Sequence, residues 1–276
     1  MTNEAFFALN HMCAPHRPIS AFFDLAISLG IKDVEIRNDL EGNAILDGTS
    51  PASVRGQAEA HGLRILSINA LQRFNDWNGT REAEARTLIA YARDCGAEAL
   101  VLVPVNDGTG TADRERQANL RTALKGLRPL LKDAGIIGLV EPLGFETCSL
   151  RLKSEAVEAI ASLDASGTFR LVHDTFHHTL SGEKNLHVAE TGLVHISGVV
   201  DTALSVSDMR DGHRVLVDVN DRLDNVGQIS ALCSEGYRGP FSFEPFADSV
   251  HMSDDLHSDL EESMQHLRAT AFPPPA

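Results

Sequence analysis

The chain lacks several features that define large functional classes. Its four cysteines, Cys13, Cys95, Cys148 and Cys233, stand far apart with no C-x-x-C pair. Neither a disulfide framework nor a zinc ribbon is indicated, and a reducing cytoplasm is the expected compartment. Nowhere do 18 apolar residues run together, and the first 14 residues carry Glu4 but no basic n-region, so no membrane span or export signal is expected. Basic residues are in short supply: 24 Lys and Arg stand against 39 Asp and Glu, a formal charge of −15, with no Lys or Arg run able to track a phosphate backbone. Nucleic acid and anionic membranes are therefore not expected as partners. G-x-G-x-x-G and P-loop motifs are also missing, and no Ser/Gly/Pro-rich stretch divides the chain.

What is present is apolar substance: 43% of the 276 residues are hydrophobic, enough for a large core. A single domain over residues 1–276 is expected, with Pro273-Pro274-Pro275 making about 271–276 a frayed tail. Short β-branched runs alternate eight times with stretches of helical period. The strand candidates are Ala5–Leu9, Asp33–Ile36, Arg64–Asn69, Ala99–Val103, Ile136–Glu141, Arg170–Asp174, Gly192–Ile196 and Pro240–Glu244. Helices are predicted near 19–29, 50–61, 80–95, 112–133, 153–163, 182–189, 225–235 and 254–269. Gly30, Gly62, Gly96, Gly135 and Gly236 each follow a helical run and precede a strand, where a left-handed residue ends a helix. Eight such units fit an α/β fold of the single (β/α)8 TIM-barrel type better than an open doubly wound sheet.

Barrels of this kind build chemistry at the C-terminal ends of their strands. Four consecutive strand candidates end in Glu141, Asp174, His195 and Glu244. Period-2 alternation places these residues, with Leu139, Val172, Leu193 and Ser242, on the lumen side, and turns Phe241 and Phe243 toward the helices. Three carboxylates and an imidazole converging at one mouth repel unless a cation joins them. Oxygen and nitrogen donors without thiolate favour one divalent ion, Mn2+, Co2+, Mg2+ or Zn2+. The alternative is a set of separate ion pairs or helix caps. His177, three residues after Asp174, leaves the strand and suits a substrate hydroxyl. Asn10, His11, Glu35, Arg37, Asn69 and Gln72 furnish the remaining wall, although Glu35 and Arg37 could equally pair inside the barrel. Phe74 and Trp77 lie in a polar loop, as a substrate lid, a subunit contact or a hydrophobic anchor.

These residues resemble the xylose-isomerase-like barrels, which include sugar isomerases, ketose 3-epimerases, inosose isomerases and apurinic endonucleases. Nearest is the inosose (2-keto-myo-inositol) isomerase branch, through Val34-Glu35-Ile36-Arg37, Ile68-Asn69-Ala70-Leu71 with Phe74-Asn75, Val103-Pro104-Val105, Asp174-Thr175-Phe176-His177 and His195-Ile196. The resemblance implies a metal on Glu141, Asp174, His195 and Glu244, acid/base roles for Glu141 and Glu244, and substrate contact by His177. It also implies a substrate-binding Arg214 in the loop after the seventh strand. The chain departs from the family at 198–224, which lacks a Pro-Gly-x-Gly turn, and at Thr147, where 3-epimerases tend to carry Glu.

The implied activity is isomerisation of a polyol-type keto-sugar or cyclitol through a cis-enediolate, with ketose 3-epimerisation on the same metal as the alternative. An apurinic endonuclease-like phosphodiesterase is disfavoured by the acidic charge. A non-catalytic sugar-binding barrel is disfavoured by the intact ligand set. A homo-oligomer of open size is implied.

Overall fold

A computed structural model describes residues 6–43 and 45–272. Among the described residues eight strands close a barrel in sequence order: β1 (Phe7–Asn10), β2 (Asp33–Arg37), β3 (Arg64–Gln72), β4 (Ala99–Val103), β5 (Ile137–Val140), β6 (Phe169–Asp174), β7 (Thr191–Ile196) and β8 (Phe241–Phe243). Every neighbouring pair is parallel, and Phe7 opposite Phe241 completes the ring. Nine α-helices accompany them among the described residues: α1 (Ile19–Ser28), α2 (Pro51–His61), α3 (Gly79–Cys95), α4 (Asp113–Ala134), α5 (Lys153–Ser162), α6 (Thr175–Ser181), α7 (Asn225–Ser234), α8 (Asp248–His251) and α9 (Leu256–Thr270).

Alternation divides the apolar residues into two cores. A small inner layer holds Ala8, Leu66, Ala70, Ala99, Val101, Leu139, Val172 and Leu193. The large outer layer, between sheet and helices, includes Phe22, Leu100, Leu127, Phe169, Phe241 and Phe243. Because Leu139, Val172 and Leu193 fill the lumen, the residues two positions later must point to the same side, above that floor. The four free cysteines are buried separately. Among the described residues no helix is long and apolar enough to cross a membrane.

Local chemistry explains the boundaries. Gly96, with φ +82°, caps α3 through its N–H on the carbonyls of Ala92 and Arg93. One predicted helix is displaced: in place of 182–189, α6 spans Thr175–Ser181. The Asp174 carboxylate accepts the His177 N–H at 2.9 Å and starts the helix directly at the strand end, while Gly182 at φ +67° stops it. Glu183 instead accepts the backbone N–H groups of Lys153 (2.8 Å) and Ser154 (2.9 Å) at the start of α5. Phe74 is fully buried in the outer core, and Trp77 packs against Gly126 of α4, so both act as anchors of their loop. Of the expected tail, Ala271 and Phe272 are buried, Phe272 against Phe7 and Phe241. Residues 273–276 of that tail, and Ala5 of the first strand candidate, lie outside the described residues.

Candidate metal centre and substrate pocket

Glu141 immediately follows β5, Asp174 ends β6, His195 lies within β7 and Glu244 follows β8. Parallel pairing holds these ends level: the Glu141 N–H donates to the Leu102 carbonyl at 3.1 Å and the Glu244 N–H to the Ile196 carbonyl at 2.9 Å. All four side chains are buried, and each offers one ligand atom within 4.8 Å of the others. His195 Nδ1 is 3.0 Å from Glu141 and 3.2 Å from Glu244, while Nε2 faces Glu35 at 3.1 Å. The sequence reading thus selects four residues that the fold brings together. Their three oxygens and one nitrogen, with no sulfur, form a donor set for a hard or borderline divalent ion.

Two guanidinium groups brace this cluster. Arg214, 1% exposed, donates from Nη2 to Asp174 (2.6 Å) and Glu244 (3.0 Å), and from Nε to Ser197 (2.9 Å). Arg37 donates to Glu244 (2.8 Å) and grips Asp39 through two bonds of 2.8 and 2.9 Å. Both lie over the Phe246 ring, at 5.6 Å for Arg37 and 4.5 Å for Arg214. Burial would raise the Glu244 carboxyl, but His195, Arg214 and Arg37 hold it well below the usual carboxylate range. Burial raises Glu141, which feels Glu244 and Asp174 as like charges, with His195 pulling the other way. Burial would depress His195, yet Glu244, Glu35 and Glu141 raise it well above an ordinary imidazole.

Above the cluster opens a pocket of about 330 Å3, whose wall includes Arg37, Asn69, Glu141, His177, Arg214 and Glu244. His177 packs edge-on to Phe145 and Phe176, and its buried Nδ1 has no partner among the described residues. Asn69 and Arg37 also reach the wall, but their donors are already engaged. Asn69 Nδ2 serves Glu35 and Ser67 at 2.9 Å each, and Arg37 serves Asp39, Glu244 and Asn10. Glu35 and Arg37 do not pair with each other: Glu35 takes His195 and Arg37 takes Glu244 and Asp39, with Asn10 between them. Sequence reasoning missed Asp39 and Phe246, although each lies two positions beyond a residue it had selected, Arg37 and Glu244, which is the spacing of one strand face.

The loop from β7 to α7 holds Arg214 without a Pro-Gly turn. Gly198 and Val215 exchange backbone bonds at 2.7 and 2.8 Å, and the Arg214 carbonyl accepts the N–H groups of Phe246 and Ala247 at 2.9 Å each. A larger depression of about 770 Å3 lies at the other mouth of the barrel, beside Phe6, Arg64, Arg170 and Tyr237. It contains none of the four converging ligands, and barrel chemistry belongs to the C-terminal face.

Residues 23–270 match a family model described as the xylose isomerase-like TIM barrel. A xylose isomerase domain containing protein from Salmonella typhimurium LT2 is 33% identical with TM-score 0.88, over 98% of each chain. The IolI protein, solved with a zinc atom, is 18% identical with TM-score 0.83, again over 98% of each chain. D-psicose 3-epimerase from Clostridium cellulolyticum H10, solved with D-tagatose, is 14% identical with TM-score 0.72, over 98% of this chain and 99% of its own. These last two likenesses show the fold alone. No curated protein matches the sequence.

Proposed function

The chain belongs to the xylose isomerase-like TIM barrel family, and from that premise we propose that it is a metal-dependent isomerase of a keto-sugar or cyclitol. Inosose (2-keto-myo-inositol) is the first substrate to consider, by proton transfer through a cis-enediolate. The observation that carries this reading is the convergence of Glu141, Asp174, His195 and Glu244, with ligand atoms within 4.8 Å of one another beneath an open pocket. These four residues would hold one divalent ion, of the Mn2+, Co2+, Mg2+ or Zn2+ type; the IolI protein, of the same fold, binds zinc. Such an ion supplies Lewis-acid polarisation of a carbonyl.

Glu141 and Glu244 flank one point beside His195 Nδ1, at 3.0 and 3.2 Å. One of the pair takes the proton from the carbon next to the carbonyl. Its return to the former carbonyl carbon, with the hydroxyl proton passing to the former carbonyl oxygen, moves the carbonyl by one position. His177 orients a substrate hydroxyl. Arg214 holds Asp174 and Glu244 in place and faces the same pocket, while Arg37 and Asn69 shape the wall.

Epimerisation on the same site is the second reading, favoured by the shared fold with L-ribulose and D-psicose 3-epimerases. Thr147 weighs against it, since its hydroxyl is exposed outside the pocket and donates to Asn106. Among the described residues a single group of His and carboxylate side chains could share an ion, which leaves a multi-metal phosphodiesterase without its ligands.

The test follows carbonyl migration by NMR with metal-loaded protein and 2-keto-myo-inositol in D2O, with Glu244→Gln as control. Deuterium at the carbon that had carried the carbonyl, lost in the variant, supports the isomerase. Deuterium returned to its original carbon indicates an epimerase. Absence of turnover on inosose and on ketohexoses would refute both.

A further inference from the structure

We propose that Glu35 is a positioning residue for this centre: it takes the Nε2–H of His195 and so turns the Nδ1 lone pair toward the point that Glu141, Asp174 and Glu244 surround. The inference rests on the reading of those four residues as the metal site.

Glu35 lies mid-strand in β2 and is fully buried in the barrel lumen. Four side chains from three strands surround its two oxygens. Ser67 Oγ of β3 donates at 2.6 Å and Asn69 Nδ2 at 2.9 Å, Ser242 Oγ donates from β8 on the far side of β1, and Asn10 Nδ2 of β1 approaches at 3.4 Å. Register produces this cage: Ser67 is the β3 partner of Glu35, and Ser242 is the β8 partner of His195. A carboxylate so surrounded cannot turn, and it has no oxygen free for substrate. Its remaining contact is His195 Nε2 at 3.1 Å. A neutral imidazole that donates from Nε2 presents Nδ1 as an acceptor, and here Nδ1 faces Glu141 and Glu244.

Lumen filling alone does not call for a charge at this position. The same inner layer is apolar at Leu139, Val172 and Leu193, and a buried carboxylate is unfavourable unless its hydrogen bonds are satisfied. Carboxylates behind a ligating imidazole fix its tautomer and raise its basicity. Glu35 has the geometry for that task, and Arg37, its neighbour on the same face, leaves it free by binding Asp39 and Glu244 instead.

The experiment compares wild type, Glu35→Gln, Glu35→Asp and Ser67→Ala. Co2+ affinity is read by chelator competition, coordination by the visible spectrum of the Co2+ protein, and fold by thermal melting without metal. Glu35→Gln is expected to weaken Co2+ by about 10- to 100-fold and to shift the ligand-field bands, while Glu35→Asp recovers part of the loss. Ser67→Ala, which removes one bond to the carboxylate without touching His195, is expected to keep wild-type affinity and spectrum. Unchanged affinity and bands in Glu35→Gln would overturn the proposal, as would an equal loss in Ser67→Ala, which would mark the effect as packing. If Glu35→Gln does not fold, the contrast between Glu35→Asp and Ser67→Ala decides. Failure of the wild type to bind any divalent ion overturns the metal reading and this inference with it. Binding by wild type and by Glu35→Gln alike overturns only the role of Glu35.

Discussion

Replacing Arg214 by Met removes a buried cation while keeping much of its aliphatic bulk. The guanidinium that bridges Asp174 at 2.6 Å and Glu244 at 3.0 Å disappears, and both carboxylates stay in the interior. Removing one member of a buried ion pair costs about 3–5 kcal/mol, because the partner is left buried and uncompensated. Glu244 keeps Arg37 and Asn10, and Asp174 keeps the His177 N–H, so the lower end, about 3 kcal/mol, is expected. At roughly 2–4 °C per kcal/mol for chains approaching this size, the metal-free variant should melt roughly 6–12 °C below wild type. A divalent ion narrows the gap. It supplies the missing positive charge in the variant, whereas in wild type it competes with Arg214 for the same oxygens. At an ion concentration of 100 Kd the stabilisation is about 2.7 kcal/mol, and a tenfold tighter site in the variant adds about 1.4 kcal/mol. Melting followed by circular dichroism, with and without Mn2+ after chelator treatment, therefore should show a larger metal-induced rise in Arg214→Met. A variant that melts with wild type in the absence of metal, or gains no more than wild type from it, refutes the argument that Arg214 balances these carboxylates.

Two further measurements address the scaffold. Burial pushes His11 down to about 4, against a weaker upward pull from the Arg17 carbonyl. Its neutral form is stabilising above pH 6.5, and that stability is lost as pH falls through 4, because the unfolded chain takes up a proton the fold refuses. The slope is about 1.4 kcal/mol per pH unit. Urea titrations should show less loss between pH 6.5 and 4.5 in His11→Gln than in wild type, and parallel losses would contradict the assignment. Gly126→Ala would place a methyl 2.3 Å from Trp77 Cε2. It should cost about 1–3 kcal/mol by overpacking and shift the emission of Trp77, the single tryptophan. Unchanged emission and stability would show that Trp77 does not anchor its loop there.

The sequence alone determined the repeating unit and the side of the sheet each strand residue takes. Both are local properties: period 2 follows from the pleat, so Leu139 with Glu141, Val172 with Asp174 and Leu193 with His195 could be assigned to the lumen before any pairing was known. Convergence of the four strand ends then followed from barrel closure. Local reading failed where one residue serves two purposes. Asp174 is a candidate ligand and also the N-cap that starts α6 at the strand end, which displaced the predicted helix by a full element.

Only the tertiary structure decided which partner each buried charge takes. Glu35 and Arg37 share a strand face, and their pairing was an open choice in the sequence. The barrel gives Glu35 to His195, 160 residues away, and Arg37 to Glu244, 207 residues away. That choice depends on the register of β2 against β3, which slips between Val34 and Glu35, and on the stagger with which the ring closes. No periodicity along one strand encodes either, because both are set by contacts between strands that meet only when the barrel is complete.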